Sequence, residues 1–203
     1  MRLIKRVLSL LLWCWGVPLV IADGASELQL RLQRIKHFSA DFVQTVTDQD
    51  NQLLQTSQGK IWLQRPSRFH WQINSPEEMQ VVSDGNTLWM YLPELQQVTA
   101  TRLNEALDNT PWILISSNRP TDWRRYQIQQ QGNQFMITPR RPGSLLQKFA
   151  ISVTRQGIIQ WITFVECQGS RSQFLLKNYR CHPIPAQQFI FKCPSGVTVD
   201  DQR

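Results

Sequence analysis

The chain has 203 residues, a formal charge of +7 and 41% hydrophobic residues, enough apolar material for a domain with its own core and too much for a disordered chain. Its positive charges are dispersed, with Arg124-Arg125 and Arg140-Arg141 the adjacent pairs beyond the first residues, so no basic stripe follows a nucleic-acid backbone and nucleic acid is excluded as a partner. With three histidines, four cysteines and no Cys-x-x-Cys, the sequence offers no metal site.

The first 22 residues carry the three parts of a secretory leader: basic Arg2, Lys5 and Arg6, an apolar stretch over 7–15, and the small-residue end Val20-Ile21-Ala22. That stretch is far shorter than the roughly 20 residues of a membrane-spanning helix, so no stable membrane anchor is expected. Cleavage leaves one domain over 23–203, beginning at Asp23, with a net charge of +4. Lipidation at Cys14 is disfavoured by the bulky Trp13 beside it.

Residues 26–37 predict a helix, with Ser26 as N-cap and Leu28, Leu32 and Ile35 on one face. Thereafter the period is two. Phe38, Ala40 and Phe42 alternate, as do Ile61 and Leu63, then Phe69, Trp71 and Ile73. Ser83-Asp84-Gly85-Asn86 predicts a tight hairpin, because Asp-Gly accepts the positive backbone dihedrals such a turn needs. Two short helices are predicted over 103–107 and 111–116, the second opened by Asn109-Thr110-Pro111. Further strands follow, the last over 188–192, for about 11 in all. The fold class expected is mainly β with an α lid: a curled antiparallel sheet or an incomplete antiparallel β-barrel closed by short helices.

Consecutive apolar positions around Trp62, and from Leu88 and Trp89 onward, make both sheet faces apolar there. One face packs under helices and the other needs separate cover. A pocket lined by Trp62, Leu88 and Trp89 is therefore expected, beneath a lid carrying Trp112, Leu114 and Ile115. Cys181 and Cys193 flank the break between the last two predicted strands and are the more plausible disulfide pair, leaving Cys167 free. His37, His70 and His182 each lack a carboxylate or nucleophile at motif spacing, and no phosphate loop, Gly-x-Ser-x-Gly or His-Glu-x-x-His occurs. His70 alternates with Phe69 and Trp71 and points away from their face, and Glu77-Glu78 after Ser75-Pro76 read as solvated turn residues. No catalysis and no cofactor are expected. A hydrolase is thus disfavoured, a lipid-anchored receptor lacks a well-placed cysteine, and a stress sensor would need a second domain.

The chain resembles the LolA family of periplasmic outer-membrane lipoprotein carriers. The resemblance runs in order through Phe38-Ser39-Ala40-Asp41-Phe42-Val43-Gln44, Gly59-Lys60-Ile61-Trp62, Arg65-Pro66-Ser67-Arg68-Phe69-His70-Trp71, Ser83-Asp84-Gly85-Asn86-Thr87-Leu88-Trp89, Asp108-Asn109-Thr110-Pro111-Trp112-Ile113-Leu114-Ile115 and Gly196-Val197-Thr198-Val199-Asp200-Asp201-Gln202. It implies a monomeric periplasmic carrier that accepts lipoproteins from the inner-membrane ABC transporter LolCDE, shields their acyl chains, and passes them to the outer-membrane receptor LolB. It also implies that Arg65 latches the lid over the empty cavity and that Phe69, with Trp71, serves binding and directional transfer. The cysteines and Arg140-Arg141-Pro142-Gly143 depart from the family pattern.

Overall fold

The computed structural model describes residues 24–107, 112–116, 119–140 and 146–203, without the side chains of 112, 113, 120 and 146. The expected leader, its cleavage point and the Arg141-Pro142-Gly143 segment lie outside the described residues. Helix α1 (Gly24–Gln33) buries Leu28 and Leu32, one turn apart. It starts earlier than expected and ends four residues before His37. Its last turn is tightened by bonds from the Arg34 and Ile35 amides to the Arg31 and Leu32 carbonyls, at 3.3 and 3.1 Å.

Among the described residues twelve strands follow: β1 (His37–Thr47), β2 (Leu53–Gln64), β3 (Arg68–Ser75), β4 (Met79–Asp84), β5 (Thr87–Leu92), β6 (Gln97–Arg102), β7 (Tyr126–Gln131), β8 (Gln134–Pro139), β9 (Leu146–Val153), β10 (Ile159–Glu166), β11 (Arg171–Arg180) and β12 (Thr198–Asp201). They form one sheet in the order β12-β6-β5-β4-β3-β2-β1-β11-β10-β9-β8-β7, whose ends do not meet. The expected open barrel is present, with two corrections to its strands. Residues 188–192 form no strand: a 3-10 turn (Ala186–Phe189) takes the first two, and the rest lies across the sheet, with Phe191 stacked on Trp89, and not in its ladder. In its place β12 pairs in parallel with β6, adding an unforeseen edge.

Between β6 and β7 lie α2 (Leu103–Leu107), α3 (Trp112–Ser116) and α4 (Pro120–Trp123), the last not foreseen. The Asp84-Gly85 hairpin forms as read. Gly85 has φ +108°, and the Asp84 carboxylate accepts the amides of Asn86 and Thr87 at 2.8 and 2.9 Å.

The core fills the concave face, where Phe38, Phe42, Leu63, Phe135, Ile151 and Leu28 and Leu32 of α1 share one cluster. Gly59 in β2 permits this: a Cβ there would sit 2.0 Å from the Gln72 carbonyl and 2.6 Å from Cζ of Phe42. Buried Arg31 ties α1 to the far end of the sheet, donating to Glu27 at 2.7 Å, the Asn133 side chain at 2.8 Å and the Val153 carbonyl at 2.7 Å.

Candidate functional site

Strand alternation puts Ile61 and Leu63 of β2 on the concave face, and register sets them opposite Trp71 and Phe69 of β3. Met79 and Val81 of β4 continue that face as partners of Ile73 and Trp71. With Leu88 and Leu92 of β5, Phe164 of β10, Phe174 of β11, and Ala106, Leu107 and Ile115 of the lid helices, they enclose a cavity of about 520 Å³.

Its wall is aromatic. Trp71 meets Phe42 and Phe174 at ring distances of 4.7 and 4.8 Å, and Phe174 meets Phe164 at 5.5 Å. Gln44, Gln55, Ser57, Glu77 and Glu78 supply its polar lining. A second cleft of about 690 Å³ lies beside the lid and includes Arg102, Arg119 and Arg203. Each of these guanidiniums already pairs with a neighbour, Glu105, Asp122 and Asp201 respectively.

The lid is held by the turn joining β2 to β3. The Ser67 amide donates to the carbonyl of Ser116, the last residue of α3, at 3.0 Å. The Ser67 carbonyl accepts the Ser83 hydroxyl at 2.7 Å. In the same turn the Arg65 amide bonds the Lys36 carbonyl at 2.9 Å, and the Arg65 guanidinium donates to the Leu32 carbonyl in α1. Burial lowers the Arg65 pKa from its ordinary value, the mark of a charge held out of water.

The structure sorts the expected site residues by face. Phe69, Trp71, Leu88 and Ile115 line the cavity. Leu114 is buried in the core beside them, and the Trp112 side chain lies outside the described residues. Trp62 and Trp89 are corrected: both lie on the outer face, away from the cavity. Trp62 packs on His70 at 5.0 Å; Trp89 stacks on Phe191 at 5.5 Å, with Arg203 over its ring at 5.0 Å.

The separate cover that face requires is the C-terminal segment, whose Phe189 is buried and whose Gln188 meets His70 Nδ1 through its carbonyl at 3.2 Å and its Nε2 at 2.8 Å. The same path explains the missing disulfide. Cys181 and Cys193 are exposed free thiols, as is Cys167: the chain leaves β11 just before Cys181 and crosses the outer face to Trp89 in β5 before reaching Cys193. Phe164, Phe174, Met79 and Val81 escaped the sequence reading as cavity residues. Only register shows that they share a face with Trp71.

An open sheet curled around an apolar cavity under short helices defines a hydrophobic-ligand carrier. The chain belongs to the LolA family: the model for "Outer membrane lipoprotein carrier protein LolA" matches residues 33–192. It is 46% identical over 184 residues to the outer-membrane lipoprotein carrier protein of Pectobacterium carotovorum subsp. carotovorum (strain PC1), covering 91% of each chain. To the protein of that name from Yersinia pestis bv. Antiqua (strain Angola) it is 44% identical over 183 residues, 90% of this chain and 91% of the relative. An uncharacterized conserved protein from Thermus thermophilus shares the fold alone, with a TM-score of 0.58 at 11% identity over 88% of this chain and 99% of its own. The family is one of non-enzymatic carriers. Among the described residues no helix is long and apolar enough to cross a membrane.

Proposed function

We propose that this protein carries lipoproteins through the periplasm with their acyl chains in the cavity beneath the lid, accepting them from LolCDE and delivering them to LolB. The observation that carries the reading is the aromatic-walled cavity of about 520 Å³ closed by helices α2 and α3. The family supports lipoproteins as cargo; the resemblance of the Arg65 to Trp71 segment supports the two membrane partners. Residues 1–22 act as the leader that sends the chain to that compartment, and the mature protein works as a monomer without cofactor.

Each methylene moved out of water contributes about 0.8 kcal/mol, in the cavity as in a bilayer, so only the difference between the two directs transfer. A carrier must therefore hold its cargo loosely. Arg65 serves this by stabilising the closed, empty state, which raises the free energy of the loaded one. The Ser67 bond to α3, made from the same turn, supports that role; the guanidinium's own bond, to the Leu32 carbonyl, ties that turn to α1 and not to the 113–116 helix.

Incubating the purified mature protein with spheroplasts bearing labelled lipoprotein tests the reading. Soluble one-to-one complexes in the supernatant are expected; none, from membranes with a working transporter, would overturn it.

A further inference from the structure

An apolar cavity accepts any acyl chain, and a carrier between two membranes meets far more phospholipid than lipoprotein. The chains gain the same burial in either case, so discrimination must come from the head group. The lining is suited to it. On the concave face of β1 and β2, Gln44 stands directly opposite Ser57, and Gln55 lies two residues from Ser57 along β2. Ser57 is only 1% exposed; its hydroxyl accepts Gln55 Nε2 at 3.2 Å and gives its own proton to no described residue. A hydroxyl that accepts one bond still has a proton to give, which a ligand oxygen placed here can take. Glu77 and Glu78, exposed where β3 turns into β4, line the same cavity, and no lysine or arginine is among the described residues lining it.

We infer that Gln44, Gln55 and Ser57 form a subsite for an uncharged acyl-ester or acyl-amide head, and that Glu77 and Glu78 keep anionic phospholipid out of the same cavity. Amide and hydroxyl donors match carbonyl oxygens, whereas a phosphate would face two carboxylates without a counter-charge. The inference rests on the reading of the cavity as an acyl-chain site.

Displacement of bound N-phenylnaphthylamine from the mature protein by dioctanoylglycerol and by dioctanoylphosphatidylglycerol tests it, since the two share their chains and differ in head. The wild type is expected to prefer the uncharged lipid by about tenfold, because both lipids offer the same ester carbonyls and only the anionic one brings a phosphate to Glu77 and Glu78. Glu77→Gln with Glu78→Gln, both exposed and harmless to folding, should narrow the gap by strengthening the anionic lipid. Gln55→Leu with Ser57→Ala should weaken both lipids relative to N-phenylnaphthylamine, which has no carbonyl for these donors. Equal wild-type affinities, or a gap that the glutamine pair leaves unchanged, would overturn the inference while the carrier reading stands. Failure of both lipids to displace the probe would overturn both.

Discussion

The backbone amide of Ser67 donates to the carbonyl of Ser116 across 3.0 Å, joining the turn between β2 and β3 to the last residue of the lid helix α3. Ser67 makes this bond from a left-handed conformation, φ 65°. A β-branched residue resists that conformation and glycine accepts it freely. Ser67→Val should therefore cost about 1–2 kcal/mol and speed hydrogen exchange in α3, while Ser67→Gly should leave stability unchanged or raise it by up to about 1 kcal/mol. Thermal unfolding and peptide-level exchange read both.

Arg65 sits two residues earlier, with its guanidinium on the Leu32 carbonyl. Leucine at this position keeps the bulk and removes the donors, so Arg65→Leu should favour the open, loaded state. The variant is expected to accept lipoprotein from spheroplasts and to retain it when offered the receptor. Transfer at the wild-type rate would show that Arg65 is no latch.

Arg31 illustrates a structural role that no periodicity reveals. Its guanidinium is buried against Phe135, at 5.1 Å from the ring, and satisfies Asn133 and the Val153 carbonyl. Arg31→Met should cost about 2–3 kcal/mol, because the packing is kept but buried acceptors lose a charged donor. Chemical denaturation with an unchanged m-value checks it.

The contact between His70 and the C-terminal segment is expected to weaken in acid. Burial pulls the His70 pKa below its ordinary 6.5, against an opposing hydrogen bond with Gln188. Above about pH 6.5 the ring is neutral folded or unfolded, and its contribution to stability is fully present. As pH falls from there towards the depressed folded value, the unfolded chain binds the proton more readily and stability declines. Limited proteolysis should therefore cut the segment 181–203 faster at pH 5.5 than at pH 7.5 in the wild type. His70→Gln, which does not titrate, should flatten the difference.

The alternation of Phe38, Phe42, Ile61, Leu63, Phe69 and Trp71 made the central strands legible, because a sheet with one buried face leaves a period of two. It could not say which face holds the cavity where both are apolar. Trp62 stands between Ile61 and Leu63 yet faces outward onto His70, whose ring is met by Gln188, more than a hundred positions away. Phe189 and Phe191 alternate like a strand for the same reason: they pack on the outer face of the sheet, not within its ladder. The edge pairing of β12 with β6 and the Ser67 bond to α3 are long-range backbone relationships, invisible to local pattern.

Trp71 is the tryptophan among the described residues lining the cavity, while Trp62 and Trp89 lie on the other face. This separation gives the most direct measurement: fluorescence of single-tryptophan variants retaining Trp71, Trp62 or Trp89, loaded with lipoprotein whose acyl chains carry bromine as a short-range quencher. Strong quenching of Trp71, with Trp62 and Trp89 unaffected, is the expected result and places the chains in the cavity. Quenching of Trp62 or Trp89 with Trp71 untouched would contradict it and put the cargo on the outer face of the sheet.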